Sequence, residues 1–322
     1  MKQTEIARAG LRLTNLGFGG AAIGNLYRAV DDDAAAGAVA AAWEGGIRYF
    51  DTAPHYGLGL SERRLGAALR QMPRDEYVIS TKVGRLLERN PSPRGSDLEV
   101  EGFAVPDDLI RVRDYSRDGI LSSIESSLER LGLDHLDIVY VHDPEAHMDA
   151  AVREAIPALV ELRDQRVVGA VGAGMNFVEP LRRFVAEADV DVVMVAGRWT
   201  LVDQSARPLL EDCVQANVAV VAAAPYNSGL LARAQPADDA MFDYDRASDD
   251  VLEAARACAR ACAAWGVELP EAAIRFPLRH PAVVSVVPSM RTREQAKLNI
   301  SRMNMAIDDR LWSELPVPAR RP

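Results

Sequence analysis

Cysteine is scarce in this chain, at three in 322 residues, and an odd, small number excludes the disulfide framework that holds small secreted domains together. Long apolar runs are missing too: none approaches the roughly 20 residues that a bilayer crossing requires. The opening MKQTEIARAG lacks the apolar segment of a secretory signal. Basic charge is in deficit, with 37 Lys and Arg against 47 Asp and Glu and a formal charge of −10, so nucleic acid and anionic membranes make poor partners. Histidines and carboxylates at metal-binding spacing are absent. Cys258 and Cys262 lie four apart on an expected helix with no third ligand nearby, and they read as small apolar helix positions. What remains is a cytoplasmic protein that acts on a small molecule and binds neither metal, membrane nor nucleic acid.

Hydrophobic residues make up 48% of the chain, enough for one large core, and the expectation is a single domain over residues 1–322. A short β-rich run followed by a longer Ala, Leu, Glu and Arg-rich stretch repeats along the sequence, the pattern of βαβ units. Strands are predicted at Leu16–Gly20, Ile47–Asp51, Tyr77–Lys82, Leu136–Val141, Val168–Ala173, Val190–Val195, Ala219–Ala223 and Val283–Val287. Helices are predicted at Ala34–Trp43, Ser61–Gln71, Ile120–Arg130, Ala150–Asp164, Val178–Ala188, Pro208–Gln215 and Val251–Trp265. An open doubly wound sheet shares this alternation, but eight regular units favour closure into a parallel (β/α)8 TIM barrel. The residues flanking Ala9-Gly10 could form a hairpin that plugs the barrel bottom. Two long connections, Val83–Gly119 and Leu230–Asp250, follow the third and seventh strands, where barrels carry their substrate loops.

Polar residues closing barrel strands face the catalytic mouth, and four stand out. Asp51 ends the second strand in FDTAPHYG, Tyr56 follows it, Lys82 ends the third strand in ISTKVG, and His142 ends the fourth in VYVHDP. Singly, each has a bland reading as a turn cap or a solvated charge. Together they suit hydride chemistry at a carbonyl, in which the oxygen must gain or lose a proton. A phenol does this poorly at its ordinary pKa near 10; a neighbouring ammonium from Lys82, itself held by Asp51, should lower it toward the working range. His142 would donate to the substrate oxygen. His55 is a candidate substrate contact, with loop packing the alternative, and Trp199 is a second one. His135, His147 and His280 read as structural or exposed.

Asp51-Thr52-Ala53 with Tyr56-Gly57, Ser61-Glu62, Thr81-Lys82 and Val141-His142-Asp143 resemble, in order and in strand context, the signatures of the aldo-keto reductase family. The resemblance covers nearly the whole chain. It implies that Asp51, Tyr56, Lys82 and His142 form the family's catalytic tetrad, and that NAD or NADP lies across the mouth. For that cofactor it implies contacts from Gly20, from Asn176 in place of the family's usual Ser-Asn pair, from Asn227, Ser228, Gly229 and Leu230 at the pyrophosphate, and from Ser289, Arg291, Gln295 and Asn299 at the adenosine. The family's usual Gln after the sixth strand falls on Ala196, and its stacking aromatic after the seventh falls on Ala223. Neutral Gln295, where NADP-binding members commonly carry a basic residue, implies that NAD is favoured.

The runs at Gly172–Asn176 and Ala196–Gln204 resemble a subgroup of bacterial L-fucose or D-threo-aldose 1-dehydrogenases and pyridoxal 4-dehydrogenase. That implies oxidation of a cyclic hemiacetal to a lactone; a general NADPH-dependent aldehyde or ketone reductase is the alternative. A non-catalytic cofactor-binding subunit fits less well with an intact tetrad, and a metal-dependent hydrolase would need ligands that these strand ends do not supply.

Overall fold

The architecture comes from a computed structural model, which describes residues 1–318. Its frame is eight parallel strands: β1 (Phe18–Gly19), β2 (Tyr49–Asp51), β3 (Val78–Val83), β4 (Leu136–His142), β5 (Val168–Met175), β6 (Val192–Ala196), β7 (Ala219–Ala223) and β8 (Val283–Val287). Neighbours in space are neighbours in this order. β8 returns to β1 through the parallel bridges Leu16–Val286 and Gly19–Ser289, so the sheet closes as a (β/α)8 barrel and the doubly wound alternative falls. Outside it lie the helices Asp32–Glu44, Leu60–Leu69, Arg117–Leu131, Ile156–Asp164, Val178–Glu187, Arg207–Ala216, Asp249–Ala264 and Arg293–Asn304. Among the described residues no helix is long and apolar enough to cross a membrane.

Alternation along each strand sorts side chains between two apolar layers. Ile138 and Tyr140 on β4, Val78 on β3, Val192 and Met194 on β6, and Val221 on β7 share the barrel interior with Tyr49. Their neighbours Val139, Val141, Ile79, Val193 and Val220 face the helices. Two tyrosines occupy the middle of the interior and satisfy their hydroxyls on each other, with Tyr49 Oη 3.2 Å from Tyr140 Oη and 3.0 Å from Ser80 Oγ. The N-terminal residues form the expected hairpin, Gln3–Ile6 against Leu11–Thr14, and insert Ile6 and Leu13 into the same interior cluster. The bottom is therefore stoppered by hydrocarbon.

Both long connections carry more structure than their composition suggests. After β3 the chain runs into an antiparallel ribbon, Arg85–Arg89 with Leu109–Arg113, whose Leu87 and Leu109 pack with Phe103, Val105 and Leu58 beside the mouth. After β7 a small hairpin pairs Met241–Phe242 with Asp245–Arg246. Its two turn residues, Asp243 (φ 52) and Tyr244 (φ 68), are both left-handed, the geometry that a two-residue hairpin turn demands. The helix predicted from Ala150 is instead interrupted by a wider turn at Ala151–Ala155 before Pro157, because proline has no N–H to donate and clashes with the carbonyl four residues back.

One glycine shows how tightly β5 and β6 approach: a Cβ on Gly172 would sit 1.8 Å from the Val192 carbonyl oxygen and 3.2 Å from the Tyr140 ring. Gly172→Ala should therefore destabilise the barrel by about 1–3 kcal/mol, read as a lower midpoint in urea or thermal unfolding; an unchanged midpoint would show that the two strands can part at no cost.

Candidate active site

The period-two rule that places Tyr49, Val78 and Tyr140 inside the barrel also aims Asp51, Ser80, Lys82 and His142 inward. Asp51 stands opposite Ser80 in the β2–β3 register, and Lys82 stands opposite Tyr140 in β3–β4. Lys82 Nζ donates to Asp51 Oδ1 at 2.9 Å, to Asp51 Oδ2 at 2.7 Å and to the Thr52 carbonyl at 2.9 Å. Ser80 Oγ donates to Asp51 Oδ1 at 2.7 Å. Burial disfavours the ammonium, but Asp51 and the Tyr56 phenol outweigh it and hold the Lys82 pKa above its ordinary value.

Tyr56 lies over this pair, its ring centroid 4.7 Å from Lys82 Nζ, and His142 meets it edge-on with 5.9 Å between ring centroids. The four residues singled out in the sequence thus converge. The direction expected for Tyr56 does not hold: burial raises its pKa, the Lys82 charge opposes the rise, and the Asp51 carboxylate reinforces it. His142 is held well below its ordinary value by burial and by the charges of Arg85 and Lys82, so it is a neutral imidazole that can give a hydrogen bond without giving up a charge.

His55 joins the cluster, 5.6 Å from His142 and 6.0 Å from Tyr56 between centroids. Its Nδ1 accepts from Arg85 Nη1 at 3.0 Å, which places the ring proton on Nε2. Burial and the Arg85 and Arg111 charges push its pKa down to about 2. Sequence reasoning passed over Arg85, because it sits in a long connection where no periodicity marks it, and over Asp143, whose only signal is its place directly after His142. Arg85 Nη2 donates to Asp143 Oδ2 at 2.5 Å. Arg111 braces the same wall, with 2.8 and 2.7 Å bonds to Asp97 and one of 2.9 Å to the His55 carbonyl.

Trp199 is not brought to this cluster. Its buried indole packs at a tilt against Phe276 and edge-on to His280 and donates to the Pro277 carbonyl at 3.2 Å, so it is a packing residue of the barrel wall. Gly20 is explained by space of another kind: its N–H donates to the Asp51 carbonyl at 2.8 Å, and a Cβ there would meet Ser61 Oγ at 2.6 Å.

The residues expected to hold a dinucleotide lie on the loops after β5, β7 and β8. The Asn176 main-chain carbonyl accepts from Arg198 Nε at 2.8 Å. Asn227, Ser228 and Gly229 are left-handed in succession, with φ of 44, 55 and 97. Asn227 Nδ2 donates to the Gly197 carbonyl at 2.9 Å, while its buried Oδ1 has no partner. Leu230 packs its side chain into the core beside helix Asp249–Ala264, leaving only its main chain to face a ligand. Ser289 is exposed. Gln295 Oε1 accepts from the Arg291 N–H at 2.9 Å, and Arg291 Nη2 reaches the Leu26 carbonyl at 3.1 Å. Asn299 is buried with its Oδ1 taken by the Tyr226 hydroxyl at 2.8 Å. Ala196 and Ala223 are register partners at the ends of β6 and β7, so these strand ends present methyl groups where bulkier side chains were looked for. A buried, unpartnered amide oxygen, small residues beside the mouth and an arginine on a loop fit a group that has amide N–H donors at one end and phosphates further along.

The sequence profile of the aldo/keto reductase family matches residues 15–316. Among characterised relatives, D-threo-aldose 1-dehydrogenase of a Pseudomonas species is 47% identical, with 98% of this chain and 97% of the relative covered. Pyridoxal 4-dehydrogenase of Microbacterium luteolum is 37% identical over 98% and 96% of the two chains. An aldo-keto reductase of Bacillus halodurans, solved in its holo form, superposes with a TM-score of 0.79 at 23% identity, covering 98% of this chain and 95% of that one. Matched along nearly its whole length and built on the same barrel, the chain belongs to the aldo/keto reductase family.

Proposed function

We propose that this protein is an NAD(P)-dependent dehydrogenase that oxidises a cyclic hemiacetal, an aldose or pyridoxal, to a lactone. The observation that carries the chemistry is the buried Lys82–Asp51 pair beneath Tyr56, faced by a neutral His142. The names of the two relatives above support the direction and the substrate class. When bound, the oxidised nicotinamide supplies a hydride acceptor and a positive charge. Tyr56 Oη takes the proton of the hemiacetal hydroxyl, and the charge on Lys82 favours the phenolate that does so. His142, as a neutral donor, holds the same oxygen while it becomes the lactone carbonyl. Lys82 is kept in place by Asp51 and Thr52. A phenol held above its ordinary pKa by burial is the one observation that favours the opposite direction, proton donation during reduction of an aldehyde or ketone.

Asn176, Asn227, Ser228, Gly229, the main chain of Leu230, Ser289 and Arg291 would hold the dinucleotide, with Gln295 supporting Arg291 and Asn299 supporting Tyr226. Arg291 and Arg293 beside Gln295 are already engaged, with the Leu26 carbonyl and with Glu44 at 3.3 Å. Neutral Gln295 and these two engaged arginines support NAD over NADP, since a 2′-phosphate is held best by charged donors. We also read the chain as one barrel domain working in the cytoplasm, a view supported by three free, buried cysteines.

Incubation with NAD and an aldose or pyridoxal should raise absorbance at 340 nm and yield a lactone, seen by NMR before it opens to the acid. Failure with every aldose and with pyridoxal, alongside efficient reduction of simple aldehydes, would replace this reading with the reductase. Comparing the two cofactors at saturating substrate, kcat/KM with NAD should at least equal that with NADP, and a preference of about 100-fold for NADP would overturn the assignment.

Oxidation needs the phenolate, and the Tyr56 pKa is raised, so kcat/KM should climb with pH through the neutral and alkaline range. His142 and His55, both held below their ordinary values, should add no break near pH 6 to 7. Lys82→Met removes the charge that stabilises the phenolate; the limb should move further alkaline, with neutral activity down by roughly 10²- to 10⁴-fold. Tyr56→Phe should lose turnover yet bind NADH normally in a fluorescence titration. An unchanged pH profile in Lys82→Met would break the link between the two residues.

A further inference from the structure

Asp143 follows His142 at the top of β4, where its N–H still donates to the Gly174 carbonyl at 3.1 Å. Its backbone is left-handed, with φ of 42, a conformation that aspartate and asparagine adopt more readily than other non-glycine residues. Here it accompanies a side chain turned back over the mouth instead of continuing the strand. The carboxylate lies between two groups. The buried Arg85 guanidinium, anchored on His55, donates to Asp143 Oδ2, and His142 Nε2 lies 3.5 Å from that same oxygen, which leaves Oδ1 without a side-chain donor. Arg85 is its one side-chain donor among the described residues. An ionised carboxylate has about four acceptor sites, so Asp143 presents unused acceptors beside the nitrogen that faces the reacting oxygen.

We propose that Asp143 is a specificity-determining residue: it accepts the hydroxyl on the carbon next to the reacting one, and so selects aldoses over substrates with no neutral donor at that position. This rests on the reading of the chain as a hemiacetal dehydrogenase and narrows its substrate. The geometry follows from where His142 is. With His142 Nε2 on the reacting oxygen, a neighbouring oxygen of the same substrate comes into the space fronting Asp143, because the oxygens of a vicinal diol lie about as far apart as an ordinary hydrogen-bonded pair. A carboxylate can only accept, so what occupies that space must donate. A 2-hydroxyl donates. A 2-oxo group brings lone pairs against lone pairs. Pyridoxal has no oxygen on the carbon next to the reacting one, so it offers no donor there; its readily ionised phenol stands one carbon further along the ring, and its phenolate meets the carboxylate charge to charge. Arg85 has a defined part as well: it compensates the buried carboxylate from behind, so that the acceptor facing the substrate remains charged.

D-arabinose and 2-deoxy-D-ribose differ only in the hydroxyl at C2 and make a matched pair. The wild-type enzyme should favour D-arabinose in kcat/KM by on the order of 10- to 100-fold, the range for a hydrogen bond to a charged acceptor. In Asp143→Ala that ratio should fall toward one. In Asp143→Asn, which keeps the shape and one acceptor but loses the charge, it should fall part of the way while the ratio of pyridoxal to D-arabinose rises. Asp143→Asn also keeps the test open if Asp143→Ala fails to fold, since its amide oxygen can still accept from Arg85. A wild-type ratio near one, or variants that slow both sugars in step, would overturn the assignment and leave Asp143 as a support for His142. Oxidation of none of these three compounds by the wild type would instead bring down the hemiacetal reading, and this inference with it.

Discussion

A lysine ammonium and an aspartate carboxylate, side chains 2% and 4% exposed, meet at 2.7 Å inside the barrel, and the site is built around that contact. Removing two charges from water is costly unless every remaining valence is met. Here the remainder is met by the Thr52 carbonyl and by the Ser80 hydroxyl. Those partners come from β2, from its following turn and from β3, so the pair is complete only when these strands are in register. Tyr56 then finds a charge fixed beneath its ring. The site and the strand pairing are one constraint.

The barrel could be read from the sequence because its strands obey a period of two and its helices begin and end where propensity changes. β7 and β8 keep their expected bounds, while β4 and β5 extend one and two residues further, to His142 and Met175, because parallel pairing continues there through His142–Gly174 and Val195–Met175. The helix Arg293–Asn304 was not among the helices expected from the sequence. Thr292 and Gln295 have the spacing of an N-terminal cap, and Thr292 Oγ1 does accept from the Gln295 N–H at 3.3 Å. The ribbon Arg85–Arg89 with Leu109–Arg113 was hidden, since the run Arg85-Leu86-Leu87-Glu88-Arg89 has no period of two and lies within a long connection rich in Pro, Asp, Arg and Gly.

The site divides along similar lines. Asp51, Lys82 and His142 end strands whose direction fixes their orientation, and a local motif ties Tyr56 to them, so all four were legible. The roles of Arg85 and Asp143 were not, although Asp143 stands in the quoted Val141-His142-Asp143 motif, because the two pair with each other across 58 residues of sequence. The cofactor loops were legible as stretches of chain but not as side chains. Leu230 faces the core, and Asn299 is held by Tyr226, distinctions set by packing that no linear motif encodes. Trp199 looked like a mouth residue from its place after β6, yet its ring had packing partners further along the chain in Phe276 and His280.

The hairpin that stoppers the barrel has a bearing on proton traffic. From Asp51 a line of hydroxyls descends through Ser80 and Tyr49 to Tyr140, the kind of relay that could conduct protons if it opened to water at its lower end. It stops instead against Ile6 and Leu13, and burial raises the pKa of both tyrosines. The relay is a blind alley. Among the described residues this line gives the site no path to water through the barrel bottom, so proton exchange at Tyr56 belongs to the side of the barrel that admits the substrate.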